Sequence, residues 1–251
     1  MSALVGKTGF VGSHLARSRE FDIQVHRPNV RTLGGEKTDL LVCAGLPAEK
    51  WRANRDPDAD WVNMAELAQV LATVQAERAV LISTIDVYQP AVEVDEGDPA
   101  HLNGAGSYGV HRAWFEAFFR SRFPKSLIVR LPGLFAPDVR KNLVHDLMHG
   151  RVDQYERVNP ASTFQFFDAT QTWSIIERAW DADVTLLNVS SEPVTAQAIA
   201  DLFDVRLVAE TEAVRYDVRS VHAGRFDGQN GYLYPSASVL EGISMLRPSW
   251  R

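Results

Sequence analysis

The chain has a single cysteine, Cys43, so it can form neither an internal disulfide nor a cysteine zinc cage. No apolar run approaches the roughly 20 residues that span a bilayer. The N-terminus also lacks a charged segment leading into an apolar stretch. These absences predict a soluble, cytoplasmic protein with no membrane partner. A basic surplus is missing too. The formal net charge of −6 argues against wrapping nucleic acid, and no nucleic-acid partner is expected. A small anionic ligand held by a few local donors stays open. There is no internal repeat and no low-complexity linker. What remains is an ordinary globular composition, 45% hydrophobic and 23% charged over 251 residues. That suits one α/β domain, or a core domain with a small annex.

Strand-like and helix-like segments alternate along the chain. Ala3–Val5 reads as a strand, 11–19 as a helix, 22–26 as a strand and 39–44 as a buried strand. A helix over 61–77, a strand over 79–82, a helix over 107–123 and a strand over 126–131 follow. Beyond Pro137 the pattern loosens, with helices over 139–150, 170–180 and 195–203 and strands over 164–167 and 185–189. Alternation of this kind predicts a doubly wound parallel sheet covered on both faces. The core is expected over 1–135, with 136–251 mainly an annex interleaved with it. In such sheets ligands bind beyond the carboxyl ends of the strands. That rule brings Gly6, Ala44, Thr84 and Leu131 to one crevice.

Gly6-Lys7-Thr8-Gly9-Phe10-Val11-Gly12 joins the first strand to the first helix. Glycines at this junction allow a tight turn and a close approach of backbone amides to a pyrophosphate, and the helix N-terminus adds partial positive charge. Gly6, Thr8, Gly9, Phe10, Val11 and Gly12 are the candidate dinucleotide cradle. Gly6-Lys7-Thr8 also mimics the end of a Walker A loop. That motif needs a glycine where Met1 stands and a strand before it, so the P-loop is rejected.

Tyr108 and Arg112 are four apart on a predicted helix and share a face. Thr84 ends a strand whose tip faces the same crevice. A phenol, a cation and a hydroxyl beside a dinucleotide form a hydride-transfer constellation. The phenol exchanges a proton with a carbinol oxygen while hydride moves to or from a nicotinamide. A tyrosine needs a nearby cation to act near neutrality. Taken singly, Tyr108 and Arg112 would more often decorate a solvated helix face.

Three segments carry a family resemblance: Gly6 to Gly12, Ser83-Thr84-Ile85-Asp86-Val87-Tyr88, and Ser107-Tyr108-Gly109-Val110-His111-Arg112 with Glu116. Asn63, Asp95-Glu96 before Pro99, and Arg130-Leu131-Pro132-Gly133-Leu134-Phe135-Ala136-Pro137 followed by Asn142 extend it. Together they resemble the extended short-chain dehydrogenase/reductase family, the NAD(P)-dependent epimerases and dehydratases acting largely on nucleotide sugars. The resemblance implies a Rossmann-type fold with a small C-terminal substrate-binding annex, and Thr84 and Tyr108 as catalytic residues. Lys7-Thr8 and the short length are similar to the dTDP-4-dehydrorhamnose reductase branch. Departures matter as much. Arg112 stands where the family has the lysine of Tyr-x-x-x-Lys, which contacts the nicotinamide ribose and lowers the tyrosine pKa. Arg keeps the charge in a different geometry. Ile85-Asp86 replaces the Asp-Glu pair of the dehydratases, which argues against a 4,6-dehydratase. The link from His26 to Asp39 is too short for the usual helix–strand–helix passage, so a strand of the sheet or a cover helix is expected to be reduced or absent.

Further candidates follow from position. His26 and Arg27 end the second strand with no carboxylate for ribose hydroxyls, and Arg27 suits a 2′-phosphate, so NADP is placed ahead of NAD. Cys43 (otherwise a small buried apolar residue), Ala44, Gly45, Ser83, Leu131 and Gly133 complete the cofactor set. Asp86, Arg140 and Asn142 are the substrate candidates, with Lys141 beside them and Arg215 or Arg219 as later help for a nucleotide diphosphate. Lys50, Trp51, Arg52 and Asn54 follow the third strand, where a loop lies beside ligand or simply packs. His145 and His149 mimic a zincin helix, but Asp146 replaces its glutamate and no third ligand is evident, so no metal is expected. The sequence thus reads as an NAD(P)-dependent oxidoreductase or epimerase acting on a nucleotide sugar or related carbonyl compound, and the resemblance implies a homodimer paired through helices including the Tyr108 helix. The alternative is a non-catalytic NAD(P)-binding sensor that lost the lysine.

Overall fold

The opening apolar residues form strand β1 (Ser2–Val5), buried throughout. The computed structural model describes residues 1–101, 106–155 and 157–247. The chain falls into two units. One comprises Met1–Pro90, Pro99–Arg130 and Thr170–Leu187; the other comprises Ala91–Asp98, Leu131–Ala169 and Asn188–Arg251. In the first unit β2 (Ile23–Val25) and β3 (Lys37–Cys43) pair in parallel with β1 on its two sides. β4 (Gln75–Thr84) continues in parallel from β3. With β5 (Ser126–Leu131) and β6 (Leu186–Asn188), the sheet has six strands in the order β6-β5-β4-β3-β1-β2. This is the doubly wound parallel arrangement that the alternation predicts.

Helices α1 (Phe10–Ser18), α2 (Lys50–Arg55), α3 (Pro57–Leu71), α4 (Ser107–Arg122) and α5 (Thr172–Asp181) accompany the sheet. Ala3, Val5, Leu41, Cys43 and Leu81 form one core with Met64, Leu67 and Leu71 of α3 and Phe115 and Phe119 of α4. Alternate strand residues Leu4, Val42 and Val80 are also buried and point to the opposite face, where α1 packs with α5.

The short link after β2 takes a particular form. Arg27–Leu33 is a 3-10 helix, started by Asn29, whose side chain accepts from His26 N at 2.8 Å, and held down by buried Leu33. The chain then crosses directly to the far side of β1, leaving β2 as the edge strand. The topological switch, the usual ligand crevice of such sheets, therefore lies between β1 and β3.

The helix expected over 61–77 is corrected at both ends: it begins at Pro57 and stops at Leu71. Gln75, Ala76 and Glu77 belong to β4, where Gln75 and Ala76 pair with Lys37 and Thr38. Arg122 explains the stop. Its guanidinium donates to Ala72 O at 2.9 Å and to Val74 O, satisfying carbonyls that a longer helix would have used.

The second unit has its own core of Phe135, Val144, Leu147, Phe166, Ile199, Phe203, Val239 and Ile243. Three two-stranded pairs support it: Gly133–Phe135 with Phe166–Asp168, Thr163–Phe164 with Val194–Thr195, and Val92–Val94 with Asp217–Val218. The single strand expected over 164–167 is thus two. Gln165 breaks it, its buried amide donating to Ser191 O and Val218 O and accepting from Val218 N at 2.8 Å. The helix expected over 139–150 shrinks to Leu143–Met148, because Asn142 turns the chain at φ 120° and caps it.

Candidate active site

The glycine loop is shaped by contacts that exclude a Cβ. Gly6 has φ +90°, and a Cβ there would stand 2.4 Å from Ala44 O. A Cβ on Gly12 would stand 2.0 Å from Gly6 O. Gly6 N donates to Val25 O at 2.8 Å and Gly9 N to Gly6 O at 2.9 Å. The loop is thereby clamped over the carboxyl ends of β1, β2 and β3. Gly9 is the N-cap of α1; no side chain caps this end and no acid sits in its first turn. Thr8 is exposed, and Phe10 and Val11 are half-buried. An uncapped helix start with no Cβ in its path fits a pyrophosphate.

Around this loop, Ala44 N donates to Val5 O at 2.9 Å, and a Cβ on Gly45 would meet Val5 at 2.8 Å. Cys43 is fully buried, and burial pushes its thiol up to about 12. It is a neutral core residue, present at the crevice through its backbone. Arg27 is exposed and donates to the Asn63 side chain of α3, which links two residues of the sequence pattern.

At the end of β4, Thr84 Oγ1 accepts from Asp86 N at 3.1 Å. Three contacts fix Tyr108 against this tip. Asn54 of α2 accepts from Tyr108 N at 2.9 Å, Gln89 brackets Gly106 with two hydrogen bonds of 3.1 Å, and Gly109 lies so close to Asp86 that a Cβ would stand 2.1 Å from Asp86 O. The buried phenol lies beside the Thr84 hydroxyl. Burial holds the Tyr108 pKa above its ordinary value. The Arg112 charge opposes this, Asp86 adds to it, and Thr84 and Lys50 oppose it.

Arg112 is 1% exposed and lies under the ring, 4.0 Å from its centroid. Both terminal nitrogens have protein acceptors: Asp60 takes a two-pronged contact, one arm at 2.9 Å, and Pro47 O and Tyr108 O take the rest. His111 Nδ1 lies 2.8 Å from the same Asp60 carboxylate. Asp60 was absent from the sequence reading, yet its signal is in the periodicity. It shares the buried stripe of α3 with Met64, Leu67, Ala68 and Leu71. Arg112 shares that of α4 with Tyr108, Phe115 and Phe119. An acid and a base on two facing apolar stripes are a buried ion pair in waiting. Gln89, likewise absent from the reading, carries no such signal.

Ser83, a cofactor candidate, donates to Glu116 at 2.6 Å, and Glu116 also accepts two-pronged bonds from Arg130, which reaches Tyr88 Oη at 2.6 Å. This buried network ties β4 and β5 to α4. In α2, Lys50 pairs with Asp86 at 2.6 Å, while Trp51 and Arg52 are exposed.

The remaining candidates belong to the second unit. Leu131 is buried; a Cβ on Gly133 would meet Gln165 O at 2.9 Å; Arg140 is exposed. Asn142 accepts from His145 N at 3.1 Å and donates to Leu134 O at 2.7 Å. Arg219 is paired with Asp217 at 2.8 Å, and Arg215 is exposed. Glu96 accepts from Asn188 N, Ser220 Oγ and Val221 N at 2.6–2.9 Å. His145 contacts Asp146 and His149 contacts His145 O. Among the described residues no group of three or more His, Cys, Asp or Glu is placed to hold a metal, and no helix is long and apolar enough to cross a membrane.

No family model and no curated protein sequence matches the chain. Solved structures do. A dTDP-4-dehydrorhamnose reductase from Yersinia enterocolitica superposes with a TM-score of 0.74 at 14% identity, covering 98% of this chain and 99% of that one. RMD from Pseudomonas aeruginosa, complexed with NADPH, gives 0.70 at 19% identity over 99% and 98%. A UDP-N-acetylglucosamine 4-epimerase from Bacillus cereus gives 0.66 at 15% identity over 98% of each chain. At these identities the likeness defines the fold alone: an α/β protein with a Rossmann-type sheet, matched over essentially the whole chain.

Proposed function

We propose that the protein catalyses NAD(P)-dependent hydride transfer at a carbonyl or carbinol carbon of a nucleotide sugar, with Tyr108 as the acid/base. One observation carries this reading. A single sheet edge holds both an uncapped, glycine-shaped helix start and a buried phenol beside a threonine hydroxyl. The nucleotide sugar and the cofactor class rest on the structural likeness to a reductase, an epimerase and an NADPH complex.

A bound nicotinamide supplies or receives the hydride. The amides at the start of α1 hold the pyrophosphate, with Gly6, Gly9 and Gly12 allowing its approach. Thr84 orients the substrate oxygen. Tyr108 gives its proton to that oxygen as the carbonyl is reduced, and takes it back in reverse. Held above its ordinary pKa by burial, the phenol stays protonated at neutral pH, the form that donates when a carbonyl is reduced. Arg27 favours NADP, being a cation at a β2 tip without a carboxylate. A homodimer through the α4 side completes the reading; partly exposed Trp61 of α3 packs there against Trp114, ring centroids 4.5 Å apart and tilted.

The test is a titration of NADPH and NADH into the wild type and Arg27→Ala. The reading expects a selective loss of NADPH affinity in the variant; equal loss for both removes the 2′-phosphate argument. The competing sensor reading draws on Arg112, whose terminal nitrogens are occupied by protein acceptors. Tight cofactor binding with no turnover of any nucleotide sugar, in the wild type and in Arg112→Lys, would favour it.

A further inference from the structure

Asp60 is an acid inside the protein, 5% exposed, and two side chains of α4 share its carboxylate. The Arg112 fork meets both of its oxygens, one arm at 2.9 Å, and His111 Nδ1 lies 2.8 Å from Oδ2. A carboxylate met by a planar fork fixes the plane of the guanidinium as well as its place. Pro47 O takes a further contact from the same guanidinium. So held, Arg112 brings its Cζ to 4.0 Å from the centroid of the Tyr108 ring, a cation against a π-face. Trp61, next to Asp60 on α3, packs on His111 with ring centroids 5.2 Å apart. The other charges near the phenol are Lys50 of α2 and Asp86 at the β4 tip, paired with each other at 2.6 Å.

We propose that Asp60 is a positioning residue for Tyr108: its carboxylate fixes the Arg112 guanidinium against the phenol ring and offsets part of the charge presented there. His111 steadies the same carboxylate from a second direction. Arg112 touches the ring; Asp60 acts on it through Arg112. The part this plays in catalysis rests on the hydride-transfer reading; the chain of contacts from Asp60 through Arg112 to Tyr108 does not. An Arg112 freed of its counter-ion favours a phenolate. Loss of both charges removes the cation that lies on the ring, and disfavours it.

The experiment reads the Tyr108 titration by fluorine NMR in full-length protein carrying difluorotyrosine in place of tyrosine, which brings phenol ionisation toward neutral pH. The Tyr108 resonance is the one missing from the Tyr108→Phe protein. Asp60→Asn keeps the shape of the side chain and should lower the midpoint by roughly half a pH unit or more. The Asp60→Asn, Arg112→Gln double variant strands no buried charge, so it is the one expected to fold most readily. It should raise the midpoint above the wild type by a similar amount. Lys50 and Asp86 stay intact in both. A purely structural Asp60 would weaken the fold and leave the midpoint in place. A midpoint unmoved or raised in Asp60→Asn, or unmoved or lowered in the double variant, overturns the proposal even if turnover is robust. Where turnover is measured in the reductive direction, its alkaline limb should move with the midpoint, because proton delivery is lost as the phenol ionises. Opposite shifts in a protein that turns over no nucleotide sugar uphold the role of Asp60 at the ring and overturn the hydride-transfer reading instead.

Discussion

Arg112 lies beneath Tyr108 with its fork on Asp60 and one arm of that fork also on Pro47 O. A guanidinium's planar fork meets both carboxylate oxygens in parallel and still reaches a carbonyl; a compact ammonium has three donors but does not reproduce that geometry. Arg112→Lys should therefore destabilise the fold by about 1–3 kcal/mol, read from the urea midpoint. Arg112→Met, which strands the Asp60 carboxylate in the interior, should cost about 3–5 kcal/mol. Equal stability in all three proteins would mean that the buried pair holds nothing together. The spacing of Tyr108 and Arg112 was legible from sequence because it is local to one helix. The Asp60 partner was not named, since it lies 52 residues away and only the packing of α3 on α4 brings it in. The same holds for Lys50 and Asp86, 36 residues apart.

At the level of elements, the loop before α1 was the clearest feature in the sequence, because a glycine's lack of Cβ matters through contacts with near neighbours. Gly12 abuts Gly6 O itself. Gly12→Ala should displace the loop and weaken dinucleotide binding at least roughly tenfold, about 1.4 kcal/mol; unchanged affinity would separate the loop from the ligand. The limits of α3 were harder to read. Gln75–Glu77 follow directly on the helical pattern of apolar residues, and only the β3 register and the Arg122 contact to the Ala72 and Val74 carbonyls turn them into strand. Glu116 joins three elements through Ser83 and Arg130. Glu116→Gln should lower the urea midpoint by the equivalent of about 1–3 kcal/mol, since buried Arg130 loses its counter-ion. No change in midpoint would show the network to be dispensable.

For the whole molecule, the alternation of strand and helix was enough to give the parallel sheet. The crossover from β2 to the far side of β1 was foreshadowed only by a link too short for the usual passage. A ligand that grips the folded loop and not the unfolded chain must stabilise the fold. At a free concentration about 100 times Kd the gain is about 2.7 kcal/mol, which should raise Tm by several degrees. An unmoved Tm with saturating NADPH and NADH would count against the cradle. The most direct measurement of the central claim is the rate at which the protein oxidises NADPH in the presence of a nucleotide 4-ketosugar, in the wild type and in Tyr108→Phe. The account predicts turnover in the wild type and a fall of roughly 10²–10⁴-fold in the variant, with NADPH affinity retained. Turnover that survives the loss of the phenolic hydroxyl would contradict it.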